Sequence, residues 1–351
     1  MPTRVLRVLI AIGATIALLI LSWPQLFGLQ NAWVVAQVVS LRGLAVVGAG
    51  GLLLVLLLLM LFRPLRGLAG ILAVIIVLYG VTNVAILASR GFGPGDGRGA
   101  EATPADVAAT DADSVTVLSW NTLGDVPGAA EIAKLGLEQE ADIITLAETT
   151  EKTGVAVAEA MSAGGRPMWV HTVAFDLVSK ARSTTLLISP ELGEYAVSSA
   201  AVSGPPGNTS VLPTVVAVPV DHDGPTVIAV HAVAPIRYEM LNWRADLDWL
   251  ATQCTGENII MAGDFNATLD HMAGRSASAA AVLGECRDAA LAAGSAGVGT
   301  WPASAPSLLG APIDHVLSTP NWQVESMRVI GALDGAGSDH RPIVATLSTD
   351  P

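Results

Sequence analysis

The stretch NIIMAGDFN (residues 258–266) decides how this chain is read. Its first half is an apolar run of the length expected for a buried strand. The run ends with Asp264 and Asn266 two residues apart, a carboxylate and an amide at the point where a strand stops. Moving outward, the same thing recurs. VLSWN (117–121) places Asn121 at a strand end, DIITLAE (142–148) places Glu148 there, and TVIAVH (226–231) does so for His231. APIDHVL (311–317) sets Asp314 beside a short strand, and GSDHRPIVATL (337–347) puts Asp339 and His340 just before the last one.

Each of these residues alone has an ordinary explanation. Asn and Asp close turns, and a single histidine is commonly a hydrogen-bonded structural residue. Together they form a pattern, because strand ends in a layered fold converge on one rim and would gather these side chains into one cleft. Carboxylates and amide oxygens are hard ligands suited to Mg²⁺ or Mn²⁺. Histidines beside them can hydrogen-bond a phosphate and stabilise its developing charge. No Cys/His grouping has zinc spacing, and neither a GxxxxGK[ST] phosphate loop nor a GxSxG nucleophile turn occurs.

The rest of this half of the chain alternates short β-rich runs with helical patterns. Strands are expected at 115–119, 143–147, 184–189, 215–220, 227–230, 259–262, 315–317, 327–330 and 343–347. Helices are expected at 129–139, 153–163, 236–253 and 276–283, with another near 287–293. Many strands with few helices point to an α+β fold in which helices cover packed sheets. The stretch 294–312 reads as loop, with Trp301 either a binding platform or a buried plug.

SWN, the AE of LAETT, the VH of AVHAVAP, GDFNA, IDHV and SDHRP, in this order over about 114–348, resemble the endonuclease/exonuclease/phosphatase superfamily. That group includes DNase I, abasic-site endonucleases, inositol-phosphate 5-phosphatases and neutral sphingomyelinases. One departure is Ala147, where the family often has Gln. The resemblance implies a four-layer αββα sandwich and a role for each position. Glu148 would be the principal metal ligand, assisted by Asn121 and Asp339. Asp264 would orient or deprotonate the attacking water, and Asn266 would help hold it and the phosphate. His340 would bind a phosphate oxygen with its ring fixed by Asp314. His231 would contact the phosphate from the other side and protonate the leaving group.

The first 90 residues are of another kind. They contain six arginines, no lysine and no acidic residue. Three apolar stretches, 5–22, 44–62 and 68–88, are each about the ~20 residues a membrane helix needs. Residues 1–90 are therefore expected to be an anchor of three transmembrane helices, with 31–42 at the interface or extending the second helix. Residues 91–113, rich in Gly, Pro, Ala and Asp, read as a flexible linker, and 114–351 as the catalytic domain. Arg4, Arg7, Arg63 and Arg66 flank the spans on one side. Positive residues are retained on the cytoplasmic side, so the chain is expected to be a multi-pass cell-membrane protein with its catalytic domain extracytoplasmic. Cys254 and Cys286 both lie in that domain, where either a bridge or two buried thiols is compatible with the sequence.

All 31 acidic residues lie in 91–351 against 12 of the 18 basic ones, a net charge of −19 there. That argues against nucleic acid, whose binding draws on Lys and Arg neutralising phosphates. Three spans with such a domain also resemble actinomycete membrane proteins of the teicoplanin-resistance type. This implies a lipid-linked phosphate or pyrophosphate substrate, such as a polyprenyl pyrophosphate. A phospholipase C or sphingomyelinase-like phosphodiesterase, or an extracytoplasmic nuclease, would use the same site.

Overall fold

The computed structural model describes residues 2–93, 114–175, 178–198, 205–221 and 224–349. Helices α1 (Pro2–Ser22), α2 (Trp33–Ser40), α3 (Arg42–Leu59) and α4 (Arg66–Arg90) come first. Of these, α1, α3 and α4 are long and apolar enough to cross a membrane. Residues 31–42 form neither a simple extension nor a span: α2 is a separate short helix, and Arg42 opens α3. Arg7 donates to the Pro64 carbonyl at 2.8 Å, so the start of α1 and the 63–66 turn share one end of the bundle. Of the expected linker, residues 94–113 lie outside the described residues.

The remaining chain runs β1 (Ser114–Asn121), α5 (Gly128–Glu138), β2 (Ile143–Ala147), α6 (Glu151–Ala163), β3 (Trp169–Ala174) and β4 (Ser183–Ile188). Next come β5 (Tyr195–Val197), β6 (Val215–Pro219), β7 (Thr226–His231), α7 (Met240–Gln253) and β8 (Ile259–Asp264). It ends with α8 (Leu269–Met272), β9 (Arg287–Asp288), α9 (Ala289–Ala292), β10 (Asp314–Ser318), β11 (Trp322–Val329) and β12 (Ile343–Thr349).

The strands form two six-stranded sheets, ordered β11-β12-β1-β2-β4-β3 and β5-β6-β7-β8-β10-β9. Their inner faces share one core, in which Val117, Ile143, Leu186 and Ile343 meet Val215, Ala229, Ile260 and Val316. The outer face of the first sheet packs on α5 and α6 through Leu118, Ile144, Ile132 and Val157. That of the second packs on α7 through Ile228, Met261, Trp243 and Leu247. Covering on both faces explains why β2 and β8 read as nearly unbroken apolar runs rather than alternating ones. The result is the α+β, four-layer αββα sandwich that the motifs imply.

Three strands escape the sequence pattern. β3, β5 and β9 lie at sheet edges, where half-exposed residues dilute the apolar signal. Two helix expectations are corrected. Residues 276–283 are not helical despite their alanines, because the backbone closes on itself, with Ala277 N–H donating to Gly284 O at 2.6 Å and Gly284 N–H to Arg275 O at 2.9 Å. The helix expected from Ile236 begins at Met240, after a turn that follows Pro235. The segment near 287–293 divides into β9 and α9, with the Asp288 carboxylate capping Leu291 N–H at 2.6 Å.

Cys254 and Cys286 are bridged, joining the end of α7 to the start of β9 across 32 residues. Closing a loop of that length stabilises the fold by about 3–4 kcal/mol through the unfolded chain. Reduction, or Cys254→Ser with Cys286→Ser, is expected to lower the melting temperature of the purified chain measurably. An unchanged melt would mean that the bridge contributes nothing.

Candidate active site

Register brings the strand-end residues together. β1 and β2 are parallel with Asn121 opposite Ala147, so Glu148 follows immediately at the same rim. In the other sheet, His231 lies opposite Asp264, and Asp264 opposite Asp314. The two sheets are bridged at this rim, where Asn121 Nδ2 donates to Asp264 Oδ2 at 3.0 Å and to Glu148 Oε1 at 3.2 Å. Glu148 (φ 54°) and Asn266 (φ 47°) sit in the left-handed region. Non-glycine residues are held there at a cost that functional sites commonly carry.

Asp264 is the hub. Its carboxylate also accepts from Asn266 N–H at 2.8 Å and Asn266 Nδ2 at 3.2 Å. Burial raises its pKa well above the carboxylate range, against the lowering pull of His340. His340 Nδ1 faces Asp314 Oδ2 at 2.9 Å, and its Nε2 lies 3.7 Å from Asp264 Oδ2. Burial disfavours charge on this ring, but Asp314, Asp264 and Asp339 outweigh it and raise His340 to about 10. A ring raised that far is an imidazolium at neutral pH, with Nδ1–H donating to Asp314 and Nε2–H left available. His231 is the opposite case, lowered to about 3 by burial and then by the His340 charge. Its 4.0 Å approach to Glu148 is therefore no ion pair.

The tautomer of His231 follows from its neighbour. The Thr184 hydroxyl is committed to Pro213 O at 2.6 Å. At the 3.4 Å contact with His231 Nδ1, Thr184 Oγ1 must then be the acceptor. The proton sits on Nδ1, and Nε2 presents a lone pair to the cleft. Asp339 completes the rim, its Oδ2 accepting from Trp301 Nε1 at 2.9 Å. Trp301 is thus neither plug nor free platform but a side chain that orients a carboxylate. The structure brings all eight sequence-derived residues to this one cleft.

A model of the endonuclease/exonuclease/phosphatase family matches residues 118–340, well over half of the chain. The chain belongs to that family. As a member of the endonuclease/exonuclease/phosphatase family it is a metal-dependent hydrolase of phosphoric esters. Among solved structures, the family protein from Beutenbergia cavernae DSM 12333 matches at 17% identity over 68% of this chain and 72% of that chain, TM-score 0.52. The family protein from Bacteroides vulgatus matches at 17% over 68% and 99%, TM-score 0.51. At this identity the likeness shows the shared fold. No curated protein sequence matches the chain.

The donor set suits the divalent cation that this family uses. Asp264, Asp314 and His340 hold ligand-type atoms within 4.8 Å of one another, but they could take a cation only if His340 released its proton. Glu148 is better disposed. Its pKa is raised by burial, with Asp339 adding to the rise and Asn121 and His340 only partly offsetting it. A half-buried carboxylate near a second one is relieved by a cation. Four carboxylates face one imidazolium here, and carboxylate oxygens are ligands for a hard divalent cation.

One part of the site was not anticipated from sequence. Four residues beyond Asn266, the Asp270 carboxylate is gripped by the helical bundle. Arg42 donates to Oδ2 at 2.9 Å and Oδ1 at 2.8 Å, Arg90 lies 2.9 Å from Oδ1, and Gln25 Nε2 donates to Oδ1 at 2.9 Å. Arg42 also donates to Asn83 Oδ1 at 2.5 Å. Next in sequence, His271 Nε2 meets Ala36 O at 3.1 Å. Asn83, an amide inside an apolar span, was the available signal, since polar residues in such helices usually have a partner.

Proposed function

We propose that this protein hydrolyses a lipid-linked phosphate or pyrophosphate at the outer face of the cell membrane. The observation that supports this reading most is the seating of the cleft on the apolar bundle. The loop after Asn266 is bound to α3 and α4 through Asp270, and the loop after His231 is bound to α2, Gln37 donating to Pro235 O at 2.7 Å. The loop after Trp301 packs so closely on α3 that a Cβ at Gly43 would collide with Leu308 O. A cleft tied at three points to one end of an apolar helical bundle would meet head groups at high local concentration if α1, α3 and α4 cross a bilayer. The domain's net charge of −19 disfavours a polyanionic strand. The outward orientation rests on Arg4, Arg7, Arg63 and Arg66, which gather at the far end of the bundle from Arg42 and Arg90.

Each residue has a task in this chemistry. Glu148, Asn121 and Asp339 would hold Mg²⁺, which when bound neutralises charge on the phosphoryl group. Asp264, its basicity raised by burial, takes the proton of the attacking water, and Asn266 helps hold that water and the phosphate. His340 donates Nε2–H to a phosphate oxygen while Asp314 fixes its ring. His231 faces the phosphate with a lone pair on Nε2, so its service as leaving-group acid needs a second proton, which the incoming anionic substrate favours.

Glu148→Gln is expected to raise the Mg²⁺ concentration for half-maximal activity at least on the order of 10–100-fold, read from a metal titration of phosphate release. An unchanged titration would remove Glu148 from the metal site. The substrate class is tested by offering the full chain undecaprenyl pyrophosphate, sphingomyelin, phosphatidylinositol and plasmid DNA, with Mg²⁺ and with EDTA. Rapid nicking of DNA without lipid turnover would overturn the proposal.

A further inference from the structure

The loop that leaves His231 runs into the start of α7 with an apolar tip that is exposed among the described residues. Ile236, Tyr238 and Leu241 are 56%, 88% and 76% exposed. Ile236 and Tyr238 on the loop and Leu241 in the first turn of α7 are costly to leave in water, where fully burying one aliphatic side chain is favourable by about 1.5–3 kcal/mol. The loop is also fixed in place. Pro235 O accepts from Gln37 of α2, and the Arg237 guanidinium stacks 5.5 Å over the Trp33 ring at the start of α2. Helix α2 itself lies between the end of α1 and the start of α3, and its Trp33 and Val34 are exposed. Across the cleft, Leu308 is 51% exposed beside Gly43, the second residue of α3.

We propose that residues 235–241 are a membrane-dipping element, with Ile236, Tyr238 and Leu241 seated in the outer bilayer interface and Leu308 touching it from the other side of the cleft. The partner is a lipid surface because the loop is bonded to the segment between two membrane helices. Tyr and Trp favour the interface, and Arg237 can hold its aliphatic stem along the apolar layer while its head remains at head-group level. The consequence is that the loop joined to His231 lies against the lipid. A head group would then enter the cleft from the membrane side without leaving the bilayer. The inference rests on the membrane reading of α1, α3 and α4, and deepens the proposed function without depending on which lipid is cleaved.

The test uses the full chain. Cys254 and Cys286 are bridged, so Tyr238→Cys supplies a thiol that can be labelled with an environment-sensitive fluorophore. Glu325→Cys, exposed at the opposite end of the sandwich where β1 begins, is the control. In phosphatidylcholine vesicles containing doxyl-labelled phosphatidylcholine, the label at 238 is expected to shift to the blue and be quenched, and that at 325 to remain solvent-like. Labels at 238 and at Leu241→Cys that both behave like the one at 325 would overturn the proposal. This readout needs no turnover, so it stands or falls separately from the substrate assignment. Ile236→Asp with Leu241→Asp should in addition raise KM for a bilayer-borne substrate on the order of tenfold. KM for a water-soluble phosphate ester should stay unchanged, and equal effects on both would contradict the inference.

Discussion

Asp264→Asn is expected to lower turnover by about 10²–10⁴-fold, the usual range for removing a general base, while the protein remains folded. The substitution keeps the shape of the side chain and can still accept at one oxygen, so the bonds from Asn121 and Asn266 are not all lost. It removes the negative charge and the proton acceptor. Because Asp264 is one of the carboxylates that raise His340, the variant should also lower the pKa of that imidazolium. Phosphate release and thermal melting measured on the same preparation check this. A variant retaining more than a few per cent of wild-type turnover would remove Asp264 from its assigned place.

The second large effect is expected at Asp270. Its carboxyl is opposed by burial, but Arg90 and Arg42 outweigh that and hold it well below the usual carboxylate range. Arg42 and Asp270 are each only 3% exposed. Asp270→Ala leaves two guanidiniums facing each other in a buried junction, and breaking such a pair typically costs about 3–5 kcal/mol. The melting temperature of the detergent-solubilised chain should fall by roughly 10 °C, and activity should fall with it because Asp264 and Asn266 are six and four residues away. The pH dependence has a definite sign. A depressed folded-state pKa gives stability that is fully present above the unfolded value near 3.8 and is lost as pH falls through the folded value. The junction should therefore hold across neutral pH, and any loosening between pH 5 and 8 would show that Asp270 is not its fastening.

What could be read from sequence follows from how local each signal is. Asn121, Glu148, His231, Asp264, Asp314 and His340 stand at or beside the ends of strands rich in apolar residues, and a polar residue at such a point carries information without knowledge of the fold. Trp301 was ambiguous because its partner, Asp339, is 38 residues away. The tautomer of His231 was out of reach, since it depends on where the Thr184 hydroxyl proton goes. Arg42 and Asp270 are 228 residues apart, and no pattern of spacing joins them. Alanine-rich 276–283 misled because local propensity favours a helix, whereas hydrogen bonds between Arg275, Ala277 and Gly284 close it into a turn.

In the function proposed here, a metal-dependent phosphohydrolase is held by its helices over a lipid-borne substrate. Phosphate release from undecaprenyl pyrophosphate in vesicles carrying the full chain, with Mg²⁺, tests it most directly. The expected result is turnover that EDTA abolishes and that Asp264→Asn nearly eliminates. Absence of release from that lipid and from other lipid phosphates, with rapid Mg²⁺-dependent cleavage of DNA by the same preparation, would contradict it.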